Sequence, residues 1–163
     1  MSILGSLQWE HVRDLRIRMD EESLGMGPLK AVVDKIVKMP GRAELECFDL
    51  CHYEPRRILP IAQERLLQSL VASTSLKTLR LGVLMTADQV CSLLKSSNLS
   101  QLEHLALVCG GSKWSQIDVY AIFHRITDAV RLRTITLAGA IITEEQIKWM
   151  EQRKVELSNH HFG

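Results

Sequence analysis

The stretch Leu76-Lys-Thr-Leu79-Arg-Leu81 carries the pattern Leu-x-x-Leu-x-Leu, which occurs five times in this chain when aliphatic or aromatic substitutes are allowed. The copies begin at residues 12, 45, 76, 102 and 132, so their steps are 33, 31, 26 and 30 residues. The other four copies are Val12-x-x-Leu15-x-Ile17, Leu45-x-x-Phe48-x-Leu50, Leu102-x-x-Leu105-x-Leu107 and Leu132-x-x-Ile135-x-Leu137. A motif that returns at such intervals is typical of a repeat array.

Each copy predicts a short strand followed by an amphipathic helix. The Leu-x-Leu core alternates apolar and polar residues, which indicates a strand with one buried face. After the first copy, the apolar residues follow the i, i+3, i+4, i+7, i+8 spacing of a helical stripe: Leu29, Val32, Val33, Ile36 and Val37. Later helices are predicted to begin at the N-caps Thr86, Ser115 and Thr143. Val155-x-Leu157 predicts a sixth strand.

Strands and helices that alternate with short links predict a parallel sheet, because each helix carries the chain back to the start of the next strand. All strands then form one wall and all helices the other. Strands are spaced by about 4.8 Å and helices by about 10 Å, so the stack is expected to curve with its strands inside. The expected fold is an α/β solenoid with a concave parallel sheet and convex helices.

The motifs resemble those of leucine-rich-repeat proteins of the ribonuclease-inhibitor type and of the F-box leucine-rich-repeat type. The resemblance implies one domain over residues 1–163, with an N-terminal cap (1–11), five to six repeats (12–154) and a last strand and tail (155–163). One feature departs from the family, which usually places Asn or Cys three residues after the last strand leucine. The residues at those positions are Asp20, Tyr53, Leu84, Gly110 and Ala140, so the repeats are degenerate.

Composition narrows the classes of function. The 163 residues include 20 Lys and Arg against 19 Asp and Glu, so no excess of positive charge indicates a nucleic-acid partner. No apolar run is long enough to cross a bilayer, and residues 1–16 lack the features of a secretory signal. The four cysteines have no metal or redox spacing, and no cofactor motif is present. An intracellular location without membrane contact is therefore expected.

Alternation along each strand predicts which residues point to the concave side. The central column is expected to hold Arg16, Asp49, Arg80, Ala106 and Thr136. Its first three members alternate in sign, so they either satisfy one another as a cross-strand ladder or form a polar recognition patch that grades into an apolar one. Arg16, Asp49, Arg80 and His104 are the candidate contact residues on this face. Trp114 is a further candidate as an exposed anchor at the rim, the alternative being that it packs in the core.

The resemblance implies a noncatalytic module that binds another protein through the concave sheet and adjoining loops. A second hypothesis is the substrate-recognition array of an F-box type ubiquitin-ligase receptor, with a ligase adaptor bound through a segment outside this sequence. A third is a cysteine-dependent enzyme, but Cys47 and His104 are expected two strands apart, on the order of 10 Å, which disfavours a nucleophilic pair. No catalytic or metal-binding residues are predicted.

Overall fold

The computed structural model describes residues 12–19, 34–38, 44–52, 60–71, 73–96, 99–109 and 114–158. Its strands are β1 (Asp14–Met19), β2 (Cys47–His52), β3 (Thr78–Met85), β4 (His104–Cys109), β5 (Thr134–Ala138) and β6 (Glu156–Leu157). Its helices are α1 (Pro60–Val71), α2 (Ala87–Ser96), α3 (Gln116–Ile126) and α4 (Glu144–Gln152). A 3-10 helix spans Leu99–Gln101, and residues 34–37 are helical. The predicted N-terminal cap (1–11) and the tail residues 159–163 lie outside the described residues.

The six strands form a single parallel sheet in the order β1-β2-β3-β4-β5-β6. Consecutive strands of the chain are therefore neighbours in the sheet, and helices alternate with them. The motif copies align residue for residue, so that one cross-strand row contains Leu15, Phe48, Leu79, Leu105, Ile135 and Leu157. This confirms the predicted α/β repeat with parallel strands and the register that the motif implies.

All helices lie on one face of the sheet and share one core with it. Strand residues such as Phe48 and Leu105 are fully buried in the same apolar cluster as helix residues. The helical contribution comes from every helix along the chain, namely Ile36, Leu66, Leu70, Val90, Leu93, Leu94, Val119, Ile122, Phe123, Ile126 and Met150. The molecule therefore has two layers, with helices over one side of the sheet.

The predicted helix starts are confirmed at three positions. Ser115 and Asp118 form a capping box at α3, and Thr143 and Gln146 form one at α4. At α2 the Thr86 hydroxyl accepts from the amide N–H of Gln89, whose side-chain oxygen accepts the N–H of Thr86. Each box satisfies two N–H groups that helix geometry leaves without partners, which fixes where each helix begins.

Strand β3 departs from the regular repeat. Alternation predicts that Gly82 follows Arg80 on the concave side, but the register moves from Leu81 directly to Leu84, which is paired with Val108. Gly82 and Val83 form a two-residue bulge opposite β4, and Leu84 takes the expected place of Gly82. Because the insertion has an even number of residues, it leaves the inward and outward alternation of β3 intact.

Within the described ranges, no helix combines the length and apolar character that a bilayer crossing requires.

Replacing Leu105 on the central strand β4 by Ala tests the shared core. Leu105 is 1% exposed, so we expect the free energy of unfolding to fall by about 2–5 kcal/mol through lost burial and an unfilled cavity. Urea unfolding followed by circular dichroism measures this. Val130→Ala is the control, because Val130 is 76% exposed and should change stability by less than about 0.5 kcal/mol. Equal effects of the two substitutions would contradict the core assignment.

Candidate functional site

The candidate site is the face of the sheet that no described helix covers, called here the helix-free face. Its first row contains Asp14, Cys47, Thr78, His104, Thr134 and Glu156, and its second row contains Arg16, Asp49, Arg80, Ala106 and Thr136. The second row is the predicted central column. The structure therefore brings Arg16, Asp49 and Arg80 onto adjacent strands, with His104 one row away.

The charged residues of the second row pair differently from a continuous ladder. Arg80 forms an ion pair with Asp49 at 3.4 Å. Arg16 instead contacts Asp14 on its own strand, with Nε and Nη2 donating at 3.0 and 2.9 Å. Asp14 is two residues before Arg16 and therefore on the same side of the strand. This contact raises the pKa of the Arg16 guanidinium, and the expected three-residue ladder is reduced to one cross-strand pair.

The Asp49 carboxylate is the buried centre of the charged half of the face. Asp49 is only 8% exposed, and its Oδ1 accepts a hydrogen bond from the Cys51 thiol at 2.8 Å while Oδ2 faces Arg80. Both carboxylate oxygens are thus engaged by neighbours on the helix-free face. Because burying a polar group without a partner costs free energy, the contacts among Asp49, Cys51 and Arg80 join the three side chains into one polar unit.

An apolar strip adjoins this polar unit. It consists of Cys51, Leu84, Ala106, Val108 and Ala138, which pack together on the helix-free face, separately from the main core. In the described part of the chain, the residues that form the strip all belong to strands β2 to β5. Ala106 and Val108 are buried within the strip, and Cys51, Leu84 and Ala138 at its sides are partly exposed. The ionised side chains of the second row lie on β1 to β3, and its members on β4 and β5 are the uncharged Ala106 and Thr136.

His104 and Thr136 are both engaged within the sheet. The Nδ1 atom of His104 lies 2.8 Å from the Thr134 hydroxyl on the adjacent strand. The Thr136 hydroxyl donates to the backbone carbonyl of Ser158 at 2.8 Å, next to β6. These contacts fix side chains at the C-terminal half of the face, so the surface they form is preorganised.

Trp114 is not an exposed anchor. It is 5% exposed, belongs to the main core, and donates its Nε1–H to the backbone carbonyl of Met85 at 3.1 Å. Its backbone N–H lies 3.0 Å from the Cys109 sulfur. The packing alternative is therefore correct, because the indole fills the junction between β3, β4 and the start of α3.

A second set of charged residues, which the sequence predictions do not include, lies one residue before each of the strands β1 to β5. The position directly after the first apolar residue of each motif holds Arg13, Glu46, Lys77, Glu103 and Arg133, with signs that alternate along the array. Glu46 contacts Lys77 at 2.6 Å and Arg13 at 3.7 Å, and Glu103 contacts Arg133 at 3.7 Å. The pKa of Glu46 is lowered chiefly by its hydrogen bond with Lys77. Reading the signs at motif position two would have found this ladder.

The thiols of Cys47, Cys51 and Cys91 have raised pKa values, which makes them poor nucleophiles at neutral pH. Burial, the hydrogen bond to Asp49 and the charge of that carboxylate raise the pKa of Cys51 to about 11. Burial also raises the pKa of Cys47 and of Cys91. Cys47 and His104 lie in the same row with Thr78 between them, and the His104 ring contacts Thr134 rather than a sulfur. Within the described ranges, no group of three or more His, Cys, Asp or Glu side chains is placed to hold a metal ion.

Asp49→Ala and Asp14→Ala form a matched pair of tests. Removing Asp49 leaves Arg80 without its cross-strand carboxylate and the Cys51 thiol without its acceptor, so we expect a loss of about 1–3 kcal/mol in unfolding free energy. Removing Asp14 breaks only an exposed pair and should cost at most about 1 kcal/mol. Urea denaturation of both variants decides this, and an equal or reversed order would contradict the buried polar unit.

Alkylation tests the environment of Cys51. The thiolate is the reactive form, and a raised pKa keeps Cys51 protonated until the pH approaches about 11. We expect iodoacetamide at pH 8 to modify Cys51 at least about tenfold more slowly in the native chain than in urea, because the smaller thiolate fraction outweighs its higher intrinsic nucleophilicity. Peptide mass spectrometry gives the rates. Asp49→Asn should lower the pKa and speed the reaction, whereas rapid native alkylation at neutral pH would revive the cysteine-enzyme hypothesis.

None of the protein-family models, curated proteins and solved structures compared with this chain matches it.

Proposed function

We propose that this chain is a noncatalytic protein-interaction module of the leucine-rich-repeat type, which binds a partner protein through the helix-free face and the loops beside it. The observation that carries the proposal is the apolar strip of Cys51, Leu84, Ala106, Val108 and Ala138 on that face. Cys51, Leu84 and Ala138 are partly exposed around the buried Ala106 and Val108. Apolar side chains that are clustered apart from the main core and bordered by polar groups are typical of interaction sites. The curvature expected for such repeats would make this face concave.

Three properties of the face suit it to a protein partner. The apolar strip supplies a desolvated centre, and the ion pair of Asp49 and Arg80 borders it. Arg16 at the β1 side is exposed and held by Asp14, so it can exchange water for a partner's carboxylate with little loss of side-chain entropy. The partner expected here offers a flat apolar patch beside an acidic group.

The size of the sheet supports a contribution from the adjoining loops. Six strands at about 4.8 Å spacing, with about five residues each, cover on the order of 400 Å². Stable interfaces bury about 800 Å² per partner. The sheet alone would supply roughly half of that area, so the loops at the strand ends are part of the proposed contact surface.

Two further predictions, an intracellular location and the F-box hypothesis, accompany this proposal. The four cysteines form no disulfide bonds, which supports an intracellular location. The F-box hypothesis stays a prediction, since it concerns an adaptor bound by a segment outside this sequence.

A carboxylate placed on the strip tests the proposal. In Ala138→Glu and Leu84→Glu, a partner would have to desolvate the new charge, so its affinity should fall at least about tenfold. A photoreactive benzophenone amino acid at position 138 should crosslink the partner in cells, and mass spectrometry identifies it. Binding of the purified partner to each variant then gives the change in Kd.

Ser92 provides the control. It is exposed and lies in α2, on the helical side of the sheet. Ser92→Glu should bind the partner as the wild type does, and a photoreactive residue at position 92 should not crosslink it. Circular dichroism must show that all variants are folded. Retained affinity in both strip variants, or equal crosslinking from positions 92 and 138, would contradict the proposal.

A further inference from the structure

The helical layer contains a groove that the sheet-face proposal does not use. Helix α2 packs directly against α3, but a groove of about 370 Å³ separates α3 from α4. Its wall on the α3 side is formed by residues at helical spacing, including Tyr120, His124 and Thr127. Its wall on the α4 side includes Glu145 and Trp149.

A hydrogen bond links the two sides of the groove at each of its ends. At the N-terminal end of α3, the Gln116 side chain donates to the backbone carbonyl of Ile141 at 3.3 Å. At the C-terminal end, Arg153 donates to the carbonyl of Thr127 at 2.9 Å. These two hydrogen bonds hold α3 and the α4 segment at a defined separation, so the groove is part of the folded structure.

Aromatic side chains make the groove predominantly apolar. Phe123 and Trp149 pack edge to face across it, with ring centroids 5.6 Å apart and planes at 85°. Tyr120 is 63% exposed and lies one helical turn from Ile117, which is 80% exposed. Ile141, whose carbonyl holds Gln116, is 57% exposed. The apolar surface therefore continues from the groove onto its mouth, and such contiguous exposure is typical of an interaction site.

Charge is distributed unevenly along the groove. Glu144 and Glu145 occupy the first turn of α4, at one end. His124 and Arg125 occupy the last turn of α3, and the Arg153 guanidinium stacks on Trp149 at 4.9 Å near the other end. Because α3 and α4 each lead into a strand of the parallel sheet, the two helices run in the same direction. Their N-terminal turns, with Asp118 in α3 and Glu144 and Glu145 in α4, therefore lie at the same end of the groove.

We propose that this groove binds an amphipathic helix of a partner protein, antiparallel to α3 and α4. A helix in that direction brings its acidic N-terminal turn to His124 and Arg153 and its basic C-terminal turn to Glu145, and its dipole opposes those of α3 and α4. The eleven-residue step from Gln116 to Thr127 spans about 17 Å, or roughly three helical turns. Apolar anchors at i, i+4 and i+7 of the bound helix would therefore lie, in that order, against Trp149, Phe123 and Tyr120.

Two helical peptides of identical composition test the proposal. Each is a 15-residue peptide with leucines at i, i+4, i+7 and i+11. A covalent staple holds each peptide helical and so removes most of the free-energy cost of helix formation. One has acidic residues in its first turn and basic residues in its last, and the other has these charges exchanged. Fluorescence anisotropy with the labelled peptides and the full chain should give at least about tenfold tighter binding for the first peptide.

Variants locate the binding and its direction. Tyr120→Ala should weaken binding of the first peptide at least about fivefold, and Val130→Ala should leave it unchanged, because Val130 is not among the residues that line the groove. Glu145→Lys should reduce or reverse the preference between the peptides, whereas Glu151→Lys, outside the groove, should preserve it. Absent binding, equal binding of both peptides, or binding that survives Tyr120→Ala would overturn the proposal.

Discussion

The parallel pairing of six consecutive strands is the constraint on which the rest of the molecule depends. Parallel neighbours cannot be joined by a hairpin, so each connection must cross over one face of the sheet, and crossovers of this kind have one handedness. In a sheet with strictly sequential strand order, that rule places every helix on the same side. The core with Phe48 and Leu105 and the helix-free face with Asp49 and Arg80 are thus two results of one topology.

The same pattern of backbone hydrogen bonds occurs at the start of each strand from β2 to β5. The carbonyl of Arg13 accepts the N–H groups of Glu46 and Cys47, and that of Glu46 accepts those of Lys77 and Thr78. The same double acceptance recurs at residues 77 and 103. Because these bonds align the first residues of β2 to β5, the rows of the sheet stay in register, and the side chains of the helix-free face are held at fixed separations. A surface arranged in this way loses little entropy when a partner binds.

Sequence predicts the parts of this structure that depend on period and spacing. The alternation of Leu79, Arg80 and Leu81 is enough to assign the inward and outward rows, and Thr143 with Gln146 is enough to place a helix start. The sequence does not predict which side chains form contacts with one another. Arg16 could contact Asp14 or Asp49, and the choice depends on rotamers and local distances that composition does not encode. The bulge in β3 preserves alternation and therefore leaves no trace in the pattern, and the burial of Trp114 depends on how its loop packs.

The ladder of Arg13, Glu46, Lys77, Glu103 and Arg133 has a consequence for how the chain reaches its fold. The repeats present nearly identical leucine rows, so apolar burial alone hardly distinguishes a correct neighbour from the repeat after it. If β1 were to skip β2 and pair with β3, Arg13 would face Lys77, and a skip from β2 to β4 would bring Glu46 against Glu103. Such skipped pairings would bring like charges together, whereas each sequential pairing from β1 to β5 brings opposite charges together. The ladder therefore favours the sequential order of these five strands over pairings that skip a strand, by the small free energy of exposed ion pairs.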